Sequence, residues 1–202
     1  MSEFRRGFKS WCETVSGQFR TALGLPASAA LPAGKLAVHL GVRVLDVRKV
    51  PGLSAVALRQ LTVTDPGSWS AMLVRFGNEP IVVMNTAHSP ARQASSLMHE
   101  CAHLILNHEP VEAGQVANGL LMVCGYRPQQ EDEADWLAGA LLLPRTALLA
   151  IIQSGTLPHD AARTYGVSED MLRMRLNRTG VNLQARRGLA SRPRGTAYNP
   201  MA

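Results

Sequence analysis

A chain of 202 residues with 46% hydrophobic content has room for one folded domain with a core of ordinary size. Four arginines, Arg186, Arg187, Arg192 and Arg194, lie in the last stretch, ARRGLASRPRGTAYNPMA, and account for much of the formal charge of +6, leaving +2 on the rest. That near balance excludes a broad basic face for nucleic acid, and three cysteines without a Cys-x-x-Cys pair exclude a disulfide framework and suit free thiols in a reducing cytoplasm.

In chain order, Phe4, Phe8, Trp11, Cys12, Val15, Phe19 and Leu23 recur at helical spacing, and GLPASAALPAG ends that helix. No apolar run there is long enough for a signal peptide, and the later LAGALLLPRTALLAIIQ is broken by Pro144 and Arg145, so neither export nor a membrane span is expected. A short helix is predicted around Lys35 to Leu40. From residue 41 to residue 85 the β-branched content rises and turn signals recur, which predicts a small sheet of three or four strands, the last being PIVVMN at residues 80–85. Helical periodicity returns at SPARQASSLMHECAHLILNH, with Ser89 placed as N-cap and Pro90 in the first turn.

Residues 112–130 contain glycine and read as a helix or a loop. EDEADWLAGALLLP is a helix ended by Pro144, RTALLAIIQSG is another, and PHDAARTYGVSEDMLRMRLNRTG reads as two short helices around a Gly-Val-Ser turn. The order of elements gives an α+β fold: one domain over residues 1–180, its C-terminal helical segment at about 145–180, and a basic, disordered tail over 181–202.

The chemistry concentrates in SSLMHECAHLILNH. His99 and His103 stand four residues apart, so on a helix they share a face at the separation one metal ion needs. Glu100 follows the first histidine, where a carboxylate can exchange a proton with a water on the ion. Cys101 falls on the opposite side of the helix and packs rather than ligates. A helix apolar on most sides would bury two unpaired imidazoles only at a high cost, which a metal removes. A catalytic zinc needs a third protein ligand. EDEADWLAG offers Glu131 and Glu133, one on either edge of the apolar stripe Ala134, Leu137, Ala138 and Leu141, and the helical wheel does not choose between them. Asp132 and Asp135 fit a solvated face at the positive end of the helix dipole.

The succession of IVVMNTAHSPARQASSLMHECAHLILNH, EDEADWLAGALLLPR and AARTYGVSEDMLRMRL resembles the ImmA/IrrE family of metallopeptidases over about residues 10–180. The resemblance implies a zincin-like domain in which His99, His103 and Glu133 hold Zn2+ and Glu100 is the catalytic base, with Glu131 the reserve ligand. Cys101 departs from the family's usual aliphatic residue. The resemblance further implies a cytoplasmic endopeptidase whose substrate is a helix-turn-helix repressor, cleaved to derepress genes in stress responses or mobile-element control. Strand 80–85 or its neighbour is the candidate edge for an extended substrate.

A rival class is a DNA-binding or ligand-sensing regulator without turnover, suggested by Arg173, Arg175 and Arg178 on the second helix of a helix-turn-helix-like segment. Glu169 and Asp170 at the start of that helix oppose it, so nucleic acid is not expected as a direct ligand. His108, Tyr126 and Arg92 are read as structural, and His39, His88 and His159 are left out of the site.

Overall fold

The computed structural model describes residues 4–116 and 120–190. Helix α1 (Phe8–Ala22) buries Phe8, Cys12 and Val15, as their spacing predicts, and packs against α5 (Pro128–Leu142). After the Gly/Pro turn, α2 (Ala33–His39) buries Leu36 and Ala37 and leads to strand β1 (Arg43–Asp46). Residues 55–64, read as strand from their β-branched content, are helical instead. Ser54 accepts a hydrogen bond from the Ala57 N–H and starts α3 (Ala55–Arg59), which runs into a π-helical turn over Gln60–Thr64. A local side-chain cap here outweighs a weak strand preference.

The sheet has five strands in the order β1-β3-β2-β5-β4, with β2 (Ala71–Phe76), β3 (Glu79–Met84), β4 (Glu112–Val116) and β5 (Leu120–Cys124). β1 and β3 run parallel, and every other pair is antiparallel. The additional strands come from residues 112–124, where a short continuous apolar run, LLMVC, carries no period that separates a buried strand from a helix. β3 pairs on both sides, so of the two candidates for the edge, residues 80–85 or a neighbouring strand, it is the neighbour β1 that is free. The free edges are β1 and β4. β3's apolar run reflects that interior place: Ile81, Val82 and Met84 are buried.

Helix α4 (Pro90–Ile105) lies over β2 and β3 and between α2 and α5, burying Leu97, Met98, Cys101 and Ala102. Asn85, fully buried at the end of β3, donates from Nδ2 to the carbonyls of Leu61 and Pro66, and its Oδ1 accepts from the Ala87 N–H. It thereby ties the loop before β2 to the start of α4.

Beyond α5 come α6 (Arg145–Ser154), α7 (Pro158–Tyr165) and α8 (Glu169–Thr179), the last two flanking the Gly-Val-Ser turn. α9 (Val181–Ala190) packs on α6 and buries Val181, so the first ten residues of the segment read as a tail are helical. Residues 191–202 lie outside the described residues. Among those described, no single helix is long and apolar enough to cross a membrane.

The C-terminal end of α5 is fastened by buried polar side chains. Ser16 Oγ donates to the Ala140 carbonyl at 2.7 Å, Arg20 Nη2 to Leu141 at 2.9 Å, and Arg175 Nη2 to Leu143 at 3.0 Å. These carbonyls have no helical partner, and leaving each buried and unbonded would cost about 1–3 kcal/mol. Burial pulls the Arg20 guanidinium down to about 10, which leaves it charged at neutral pH. Arg175, 1% exposed, also bonds Glu13 at 3.0 Å. Gly139 leaves it room, because a Cβ there would stand 2.9 Å from Arg175 Cδ and the arginine would have to shift.

Candidate metal centre

Local chemistry sets both ends of α4. Ser89 Oγ accepts from the Arg92 N–H at 3.3 Å with Pro90 in the first turn, as the sequence predicts. At the other end Asn107 takes a φ of 51°, and the His108 N–H closes onto the His103 carbonyl at 3.0 Å. Asn tolerates the left-handed region better than most residues, and this bond from five residues back is the Schellman ending. It folds His108 back beside His103.

His99 and His103 project together from α4 with their Nε2 atoms 3.0 Å apart, while Cys101 is fully buried behind them. α5 faces them with carboxylates. Glu131 Oε2 lies 3.1 Å from His99 Nε2 and 3.7 Å from His103 Nε2, and Asp135, one turn further on, places Oδ1 2.9 Å from His99 Nδ1. Glu133 Oε2 lies 3.3 Å from His108 Nε2. The carboxylate gathered beside the histidine pair is therefore Glu131, where the family resemblance points to Glu133. Residues two apart on a helix lie about 200° around its axis, so the two glutamates reach round different flanks of α5.

Three groups, His99, His103 and Glu131, each present one ligand atom, all within 4.8 Å of one another. Two atoms bound at about 2.0–2.1 Å to one tetrahedral zinc stand about 3.3 Å apart; the separations of 3.0, 3.1 and 3.7 Å bracket that value. The chemistry of the atoms also fits a cation. Asp135 only accepts, so His99 must donate from Nδ1, and a neutral His99 then turns its Nε2 lone pair toward the acceptor oxygen of Glu131 and toward His103 Nε2. Such a convergence of acceptors needs a proton or a metal ion between them.

The protonation equilibria carry the same imprint. Burial disfavours charge on His99, but hydrogen bonds to Asp135 and Glu131 overturn this and hold it at about 10. Burial and then the His99 charge push His103 down to about 3. The hydrogen bond from His99 keeps Glu131 below the usual carboxylate range, against burial. Glu100 is half-buried beside the cluster: burial pushes it up to about 7, with His99 pulling down and Glu131 pushing further up.

Two residues read as structural belong to this centre. His108 contacts His103, Nδ1 to Nδ1 at 3.0 Å, and Tyr126, between β5 and α5, stacks on the His103 ring with centroids 3.6 Å apart and planes 14° apart. No motif spacing marks either; their common signal is position, just past α4 and just before α5. Arg92 instead bonds Ser70 Oγ at 2.8 Å. Arg175 of the helix-turn-helix-like segment faces inward onto α5, and Arg173 bonds Asp170 on its own helix at 2.6 Å.

Two histidines on one helix, a glutamate between them in sequence and a carboxylate from a second helix are the parts of a metallopeptidase domain. The family model described as peptidase M78, IrrE N-terminal-like domain, matches residues 60–177, more than half of the chain, and the chain belongs to that family. Among solved structures, a Mycobacterium tuberculosis transcriptional regulator aligns with a TM-score of 0.49 and 14% identity over 83% of this chain and 46% of its own. The chain thus spans less than half the length of that protein. A search of curated proteins finds no match.

Proposed function

We propose that this chain is a zinc-dependent endopeptidase with His99, His103 and Glu131 as ligands and Glu100 as general base. The observation that carries this reading is the convergence of His99 Nε2, His103 Nε2 and Glu131 Oε2 beside Glu100 in a chain of the M78 family. When bound, zinc supplies positive charge that acidifies the attacking water and polarises the scissile carbonyl. Glu100, half-buried beside His99, would accept the proton from that water and deliver it to the leaving amine nitrogen. Asp135 holds His99 by its Nδ1–H, so that Nε2 faces the ion.

The substrate is a helix-turn-helix repressor, cleaved in the cytoplasm to derepress genes under stress or during mobile-element induction. Its main chain lies along the free edge of β4, since β5 of the same hairpin runs into Tyr126 against His103. Two buried free thiols, Cys12 and Cys101, suit a reducing compartment. The regulator alternative has less support, because Arg175 is buried on Glu13 and α5 rather than offered to phosphates.

The test is metal content by mass spectrometry together with cleavage of a co-expressed repressor by the wild type and Glu100→Gln. About one zinc per chain in both, with cleavage only by the wild type, is expected. A protein free of zinc after purification without chelators, or a Glu100→Gln variant that cleaves normally, sinks the reading. Duplex DNA binding that weakens steeply with salt would favour the regulator.

A further inference from the structure

One chain of contacts at the centre is not used by the three ligands or the base. It runs from Glu133 Oε2 to His108 Nε2 at 3.3 Å, and from His108 Nδ1 to His103 Nδ1 at 3.0 Å. All three side chains are sheltered, with His103 1%, His108 6% and Glu133 12% exposed. A buried carboxylate accepts only, so His108 must donate from Nε2. A neutral His108 then has its lone pair on Nδ1, where it accepts from His103 Nδ1–H. His103 is left with its lone pair on Nε2, turned toward His99 and Glu131.

We propose that Glu133 and His108 form a positioning relay that fixes the tautomer and the ring orientation of His103. The inference rests on the reading of His103 as a ligand and assigns Glu133 a role one residue removed from the metal. The backbone builds the relay. Asn107 in the left-handed region and the closing His108 N–H to His103 carbonyl bond set the second ring against the first. Gln130 Nε2, donating to the Glu109 carbonyl at 3.2 Å, holds the first turn of α5 to the same loop. Tyr126, stacked on His103, restrains the ring from rotating out of line.

The two histidines are thus oriented by different means. His99 meets Asp135 directly, whereas His103 meets its carboxylate through a second imidazole. A hydrogen-bonded partner on the far nitrogen raises the basicity of a ligating imidazole, and losing such a partner weakens metal binding by about 10–100-fold.

The experiment measures zinc affinity of the full chain by competition with a chelator for wild type, Glu133→Ala, His108→Ala and the double variant. Each single variant should bind zinc about 10–100-fold more weakly, and the double variant no more weakly than the weaker single one, because both cut the same chain. Long-range proton–nitrogen NMR of the zinc-loaded wild type supplies a readout that does not depend on any variant folding. It should show His108 protonated at Nε2 and His103 at Nδ1. Unchanged affinity in Glu133→Ala, additive losses, or His108 protonated at Nδ1 would each overturn the relay. A wild type that binds no zinc would instead overturn the metal reading. Retention of zinc by Glu131→Ala with its loss from Glu133→Ala would restore Glu133 as a ligand and remove the relay.

Discussion

The two ends of α5 are built on opposite principles. At the C-terminal end, backbone carbonyls meet the hydroxyl of Ser16 and the guanidiniums of Arg20 and Arg175, so that donors and acceptors are matched and buried. At the N-terminal end, Glu131 meets His99 and His103 in a cluster whose ligand atoms all lie within 4.8 Å of one another. A helix held rigidly at one end can present an unfinished cluster at the other without rearranging to relieve it. The anchoring end is therefore expected to govern stability, and the carboxylate end, under the proposed function, metal binding and turnover.

The largest expected effect breaks the carboxylate end alone. Glu131→Ala should lose stoichiometric zinc and all hydrolysis, while the metal-free protein, whose Glu131 side chain is 43% exposed, changes in denaturant stability by less than about 1 kcal/mol. Mass spectrometry beside urea unfolding checks this, and a large loss of stability would show that the two ends are not separate. Next, Glu100→Gln should keep zinc and slow hydrolysis on the order of 10²- to 10⁴-fold, measured as kcat on a repressor fragment.

The anchoring end should respond the other way. Arg175→Met removes the partner of Glu13 Oε1, whose Oε2 still accepts from the Arg145 N–H, leaves the Leu143 carbonyl unpaired and should destabilise the fold by about 3 kcal/mol, with zinc stoichiometry kept in the folded fraction. The smallest effect is Gly139→Ala. Helix propensity favours Ala by about 1 kcal/mol, but the new Cβ, 2.9 Å from Arg175 Cδ, should reverse the sign to a net loss of about 1 kcal/mol. A stabilised Gly139→Ala protein would mean that Arg175 yields easily and that the anchor is looser than its hydrogen bonds suggest.

How much of this was legible before folding differs from residue to residue. His99, Glu100 and His103 are a local pattern on one helix, so spacing and period alone bring them together. Ser89 and Pro90 at the start of that helix are equally local, and the structure has both in place. Residues 55–64 and 112–124 were misread because β-branched content and short apolar runs are weak signals that a single cap or a neighbouring strand overrides. The glutamates of α5 lie on either edge of one apolar stripe, and the family resemblance favours Glu133. Only the docking of α5 on α4 sets Glu131 beside the histidines and Glu133 beside His108.

Residue type, spacing and capping chemistry are short-range properties, and they were enough for the α+β class, the pair of histidines on one helix face and the glutamate between them. The carboxylate that joins the two histidines, the partners of each imidazole, the stacking of Tyr126 and the inward turn of Arg175 depend on how elements distant in sequence pack together. That packing is decided by the whole core at once, because each helix takes the rotation that buries its apolar face, and its polar residues then follow.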